Sequence, residues 1–101
     1  MIYALVVPGA IEDVSEVRVL EWHGTPGHAF AAGDLVVELE THKAVVEVRA
    51  GSSAVLRQIL CEPGAWQAIG AQLALLSDSE DEVVPDAVDG LPESAVTFEV
   101  V

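Results

Sequence analysis

The feature of this sequence that most restricts its fold is an internal repeat. The dipeptide Pro26-Gly27 recurs 37 residues later as Pro63-Gly64, and Gly33 recurs at the same spacing as Gly70. Glycines mark backbone positions with unusual dihedral angles, so paired glycines indicate two halves of similar structure. Each half would have to bury its apolar face against the other, which predicts two small sheets packed face to face.

The segments between the turns have the composition and length of strands rather than helices. No long window shows a convincing helical period. Strands are predicted near residues 2–7, 14–22, 36–40, 44–49, 55–61 and 73–76. We therefore predict an all-β fold, a flattened barrel or sandwich of two small antiparallel sheets with a quasi-two-fold repeat.

A hairpin with a lysine at its turn is predicted in residues 38–48, Glu-Leu-Glu-Thr-His-Lys-Ala-Val-Val-Glu-Val. Two runs rich in Val and Leu flank Thr41, His42 and Lys43, a pattern typical of two strands joined by a tight turn. Lys43 is the only lysine in the 101 residues. A single primary amine at a turn suits covalent modification, although a solvated lysine is also common at loop tips.

Composition and charge narrow the class of protein. Seventeen acidic residues face four Lys and Arg, a formal net charge of −13 that argues against binding to nucleic acid or to anionic membranes. No apolar run approaches the roughly 18–20 residues that span a bilayer, and residues 1–8 lack the features of a signal peptide. The single cysteine, Cys61, has no partner for an internal disulfide. It agrees with a reducing compartment, and we expect a cytoplasmic protein.

A shift in composition after Ser77 predicts a domain boundary. Residues 78–101 hold eight acids and no base, so we divide the chain into a domain of residues 1–77 and an acidic C-terminal extension of residues 78–101. Residues 78–94 are expected to be extended or loop. Residues 95–101 alternate and are rich in β-branched side chains. This pattern predicts an added strand, beside residues 2–7 or as a docking strand for a partner; a disordered tail is the alternative.

The other candidate side chains do not form a catalytic or metal-binding pattern. His23, His28 and His42 lack the spacing of a zinc site, and we expect surface or packing histidines. Cys61 is expected to be a small buried apolar residue. We predict no catalytic residues and no metal.

Residues 40–44, Glu-Thr-His-Lys-Ala, resemble the Glu-Thr-Asp-Lys-Ala motif of lipoyl domains, the swinging-arm carriers of 2-oxo acid dehydrogenase complexes. Gly33 stands at the matching distance upstream, and Glu21-Trp22 also fits the family's first half. The resemblance covers roughly residues 1–77. The chain departs from the family at His42, where the family usually has Asp, and at Ala54, where it commonly has Gly.

The resemblance implies that Lys43 carries covalently bound lipoate as N6-lipoyl-lysine. It implies that Glu40, Thr41, His42 and Ala44 contribute to recognition near the tip. The chain would be a non-catalytic carrier of acyl groups and electrons. Its expected partners are a lipoate-attaching enzyme and the 2-oxo acid dehydrogenase, acyltransferase and dihydrolipoyl dehydrogenase components.

Two alternatives stay open. Biotinyl carriers share the fold, but they have Met on both sides of the lysine, where this chain has His42 and Ala44. Lipoate is therefore preferred. The second alternative is an unmodified lipoyl-like adaptor that binds other proteins and in which Lys43 is an ordinary turn residue.

Overall fold

A computed structural model of the chain describes residues 1–7, 9, 14–86 and 89–101. Within these residues all regular structure is β, which confirms the all-β prediction. The nine strands are β1 (Ile2–Val6), β2 (Glu16–Trp22), β3 (Ala29–Phe30), β4 (Leu35–Glu40), β5 (Val45–Ala50), β6 (Ala54–Ile59), β7 (Trp66–Ala68), β8 (Gln72–Ser77) and β9 (Val96–Val100). Among the same residues, no helix has the length and apolar character needed to cross a membrane.

The strands form two antiparallel sheets that are related by the repeat. The first sheet has the order β1-β8-β6-β3, and the second has the order β7-β2-β4-β5-β9. The 37-residue shift places β2, β3 and β4 on β6, β7 and β8. The short strands β3 and β7 each pair with the opposite half, β3 with β6 and β7 with β2. The three strands of each sheet that the shift relates therefore occur in the same order, β8-β6-β3 in the first sheet and β4-β2-β7 in the second.

Hydrogen bonds that join the halves repeat with the same spacing. The Gly27 N–H donates to the Leu56 carbonyl at 2.7 Å, and the Gly64 N–H donates to the Val19 carbonyl at 2.8 Å. Both glycines have positive φ, +99° and +91°, which non-glycine residues rarely adopt. The glycines that revealed the repeat in the sequence thus occupy equivalent left-handed turns.

The core lies between the sheets and is built from the inward-facing Val and Leu of alternating strand positions. In β5, Val46, Val48 and Ala50 are buried, whereas the residues between them are partly exposed. The largest side chains with less than 2% exposure are Leu5, Leu39, Leu56, Leu73, Leu75, Leu76, Val7, Val17, Val19, Val36, Val37 and Val46. Both halves contribute to this set, as the face-to-face arrangement requires.

The C-terminal segment runs from the edge of one sheet to the edge of the other. The Ala4 N–H donates to the Pro92 carbonyl at 2.8 Å, and the Ser94 N–H donates to the Ala4 carbonyl at 2.9 Å. The following strand, β9, pairs with β5 along its whole length. The expected strand in residues 95–101 therefore forms, but its partner is β5, and the expectation of pairing beside residues 2–7 is wrong. Pro92 has no N–H to extend a ladder toward the start of β1, and from Ala95 onward the chain bonds to the β5 side, so the contact with β1 is a single bridge.

Candidate functional site

The β4–β5 turn is organised by the hydroxyl of Thr41. Its Oγ1 accepts hydrogen bonds from the N–H groups of Lys43 and Ala44, at 3.0 and 2.9 Å, and donates to the Ala44 carbonyl at 3.1 Å. The Thr41 N–H also donates to that carbonyl, at 2.8 Å. A Ser or Thr side chain that bonds to the backbone two and three residues ahead stabilises a tight turn. Thr41 is only 5% exposed and holds the turn from inside.

The residues held by this turn project into solvent. His42 and Lys43 are exposed, and Ala44 is half-buried. The backbone at Lys43 is fixed by the hydrogen bonds of Thr41. An exposed lysine on a fixed backbone suits an enzyme that forms an amide at Nζ.

Glu40 lies at the base of the turn and belongs to an ion-pair cluster on the outer face of the second sheet. It is the cross-strand partner of Arg18, and an Arg18 guanidinium nitrogen contacts Glu40 Oε1 directly. The Arg18 guanidinium also stacks over the Trp66 ring, 5.6 Å from its centroid. The contacts of Arg18 with Glu40 and Trp66 connect β2 to β4 and β7. The role of Glu40 in the structure is to anchor the base of the hairpin, and its carboxylate is half-buried rather than projecting at the tip.

A second row on the same outer face consists of four glutamates on four adjacent strands. Glu21 is opposite Glu38, Glu38 is opposite Glu47, and Glu47 is opposite Glu99. Like charges directly opposite each other destabilise a sheet. Only the strand register brings these residues together, so the row was not predicted from the sequence.

Two cationic or basic groups interact with the row. Arg49 Nη2 lies 3.0 Å from Glu47 Oε1, and His23 Nε2 lies 2.6 Å from Glu38 Oε1. The potential ligand atoms of His23, Glu38 and Glu21 all lie within 4.8 Å of one another. From the sequence we expected His23 to be a surface or packing histidine, and it is partly exposed. The structure adds that its imidazole lies between the carboxylates of Glu21 and Glu38 and forms a hydrogen bond with Glu38.

His28 and Cys61, the other two residues considered in the sequence, lie away from the turn. The His28 ring packs edge-on against Phe30, with 4.6 Å between ring centroids. Cys61 is buried, as expected, and burial raises the pKa of its thiol above the ordinary value. Its carbonyl accepts a hydrogen bond from Trp22 Nε1 at 2.9 Å, which links the two halves of the repeat.

The fold and the turn together define a class of protein: a two-fold β-sandwich that presents a lysine on an exposed, rigid hairpin turn. The family model described as "Biotin-requiring enzyme" matches residues 4–76. The chain belongs to this biotinyl/lipoyl carrier family, and within it the chain is a lipoyl domain.

Similar curated proteins include components of 2-oxo acid dehydrogenase complexes. The dihydrolipoyllysine-residue succinyltransferase component of the 2-oxoglutarate dehydrogenase complex of Bacillus subtilis (strain 168) is 33% identical over 76 residues, 75% of this chain and 18% of the relative. The corresponding Escherichia coli (strain K12) protein is 37% identical over 60 residues, 59% of this chain and 15% of the relative. The mitochondrial pyruvate dehydrogenase complex protein X component of Chaetomium thermophilum is 27% identical over 78 residues, 76% of this chain and 18% of the relative.

The chain thus spans less than a fifth of the length of these three relatives. What it shares with them is the domain that surrounds the lysine turn. The matched region of the family model ends at residue 76 and does not include β9.

Proposed function

We propose that Lys43 is the attachment site for lipoate and that residues 1–77 act as a lipoyl carrier domain of a 2-oxo acid dehydrogenase-type complex. The observation that carries the proposal is the exposure of Lys43 at the tip of a turn that is hydrogen-bonded around Thr41. The similar proteins support the choice of lipoate over biotin, because two of them are named for a dihydrolipoyllysine residue.

The residues of the turn fit a covalently attached lipoyl group. Amide formation at Nζ removes the charge of Lys43 and adds a flexible arm, while the hydrogen bonds of Thr41 keep the attachment point fixed. When attached, lipoate supplies a dithiolane that carries acyl groups and electrons. The contribution of the chain is presentation, because tethering raises the effective concentration of the group at each active site within reach.

Recognition of the turn would depend on the residues that surround Lys43. His42 and Ala44 flank the lysine, and Glu40 anchors the hairpin through Arg18. The partners would be a lipoate-attaching enzyme and the dehydrogenase, acyltransferase and dihydrolipoyl dehydrogenase components of the complex. The domain itself would be non-catalytic and would work in the cytoplasm. Residues 78–101 would be an extension of the carrier domain.

Intact mass spectrometry after co-expression with a lipoate-attaching enzyme, in medium with lipoate, tests the proposal. The expected result is a gain of one lipoyl mass, which is lost in Lys43→Ala and in the charge-preserving Lys43→Arg. Peptide mapping should place the modification on Lys43. Modification that persists in both variants, for example on the N-terminal amine, would refute the site.

The same experiment separates the alternatives. Parallel co-expression with a biotin-attaching enzyme and biotin should leave the mass unchanged if the carrier is specific for lipoate. A gain of one biotinyl mass, without a lipoyl mass, would identify a biotinyl carrier. An unchanged mass with both enzymes would favour the unmodified adaptor.

A further inference from the structure

The outer edge of β9 is the end of the second sheet. The Val101 N–H donates to the Val45 carbonyl at 2.9 Å, and the Gly51 N–H donates to the Ala95 carbonyl at 2.8 Å. In an antiparallel pair, alternate residues direct both backbone groups to the same neighbour. Odd-numbered residues of this segment therefore bond to β5, and the N–H and C=O groups of Val96, Phe98 and Val100 point away from it. Among the residues that the structure describes, no strand pairs with that side.

The side chains at this edge are unusually apolar for an exposed strand. Phe98 is 39% exposed, Val100 58% and Val101 62%. Phe98 and Val100 lie at the border of the core, since Phe98 is opposite the buried Val48 and Val100 is opposite the buried Val46. Natural sheets usually protect an exposed edge with lysine, proline or a bulge. The sequence of β9, Val-Thr-Phe-Glu-Val, contains neither lysine nor proline, and its pairing with β5 has no bulge.

The charge next to this edge indicates what kind of strand could be added. Glu99 is the last carboxylate of the row of four glutamates, directly opposite Glu47. Glu47 is paired with Arg49, whereas the ion pairs found among the described residues include none to Glu99. An added strand would place one residue directly opposite Glu99, in a pair whose side chains are close together. Lys or Arg at that position would offset the repulsion within the row.

We propose that the free edge of β9 binds an extended, basic segment of a partner protein as an added antiparallel strand. The backbone groups of Val96, Phe98 and Val100 would form its hydrogen bonds. An apolar side chain of the partner would pack beside Phe98, and a Lys or Arg would lie opposite Glu99. This is strand addition at a sheet edge, in which the backbone gives affinity and alternate side chains give specificity.

A second copy of the chain is the less favourable occupant. Pairing of two β9 strands would bring together two chains that each carry a net charge of −13. A basic segment instead gains from the same charge. The added strand would also approach the lysine turn, because Val101 is bonded to Val45, two residues after Lys43. The inference does not require Lys43 to be modified.

A pair of synthetic peptides on the full chain tests this proposal. The first probe is an acetylated and amidated Thr-Val-Lys-Phe-Lys-Val-Thr, and the second has Glu in place of both Lys. Backbone amide shifts measured by NMR should identify Val96, Phe98 and Val100 as the amides most affected by the lysine peptide. The lysine peptide should bind about fivefold or more tightly than the glutamate peptide, from one attractive and one repulsive cross-strand pair.

Two variants separate strand addition from general attraction to an acidic protein. Phe98→Pro removes an outward N–H but leaves the residues that bond to β5, and it keeps the net charge, so it should abolish binding while non-specific attraction would survive. Glu99→Lys should reverse the preference between the two peptides. This variant keeps the outward backbone groups of β9, so it tests the proposal even if Phe98→Pro unfolds.

Three outcomes would overturn the proposal. Binding of the lysine peptide that is unchanged in Phe98→Pro would show charge attraction alone. An unreversed preference in Glu99→Lys would remove the role of Glu99. Sedimentation showing dimers of the chain through β9 without peptide would identify a second copy as the occupant.

Discussion

Replacing Thr41 by valine removes the hydroxyl that organises the lysine turn while keeping the shape of the side chain. The change deletes three hydrogen bonds of Oγ1, two accepted from the N–H groups of Lys43 and Ala44 and one donated to the Ala44 carbonyl. The Thr41 N–H keeps its own bond to that carbonyl. A net hydrogen bond contributes about 0.5–1.5 kcal/mol.

The loss should be smaller than the sum of three such bonds. The N–H of the exposed Lys43 can bond to water in the variant, whereas the half-buried Ala44 is less able to do so. We therefore expect the free energy of unfolding to fall by about 1–3 kcal/mol, with most of the loss from groups that stay shielded. The loosened turn should also slow modification of Lys43, because its backbone is no longer held for the attaching enzyme.

The measurement is urea unfolding followed by the fluorescence of Trp22 and Trp66. Thr41→Val should lower the midpoint without changing the slope, and Thr41→Ser, which keeps the hydroxyl, should lie close to the wild-type chain. The rate of lipoylation is then compared among the three proteins under folded conditions. A change below about 0.5 kcal/mol, or equal losses in the serine and valine variants, would show that the hydroxyl does not organise the turn.

Three further predictions concern the C-terminal strand, the buried thiol and the residue before the lysine. Truncation after Ser77 should lower the melting midpoint, because it removes β9 from β5; an unchanged midpoint would mean that β9 adds no stability. Cys61 should react with thiol reagents only on unfolding, and burial raises its pKa above the ordinary 9.0. The folded state favours the neutral thiol, so its contribution to the free energy of unfolding is fully present below pH 9.0 and should be lost as the pH rises through the raised pKa of the folded state. The Cys61→Ala variant should not show this loss. His42→Asp should change the rate of reductive acylation by a 2-oxo acid dehydrogenase, and equal rates across several such enzymes would make His42 incidental.

The sequence by itself determined the two-fold architecture and the lysine turn, because both depend on local signals. Gly27 and Gly64 need left-handed backbone conformations, and a polar trio between apolar runs forms a turn wherever the strands are placed. Thr41 and Lys43 are close in sequence, so their relation did not depend on how the sheets pair. The division after Ser77 stays a prediction.

Only the tertiary structure decided the partner of β9 and the row of four glutamates. Alternation in residues 95–101 predicts a strand, but any edge of matching geometry could accept it, and β5 was chosen through contacts between residues about 45–55 positions apart. The same holds for Glu21, Glu38, Glu47 and Glu99, which are scattered in the sequence and aligned only by register. Strand pairing is non-local, so the sequence alone could not predict which residues become neighbours on the surface beside the lysine turn.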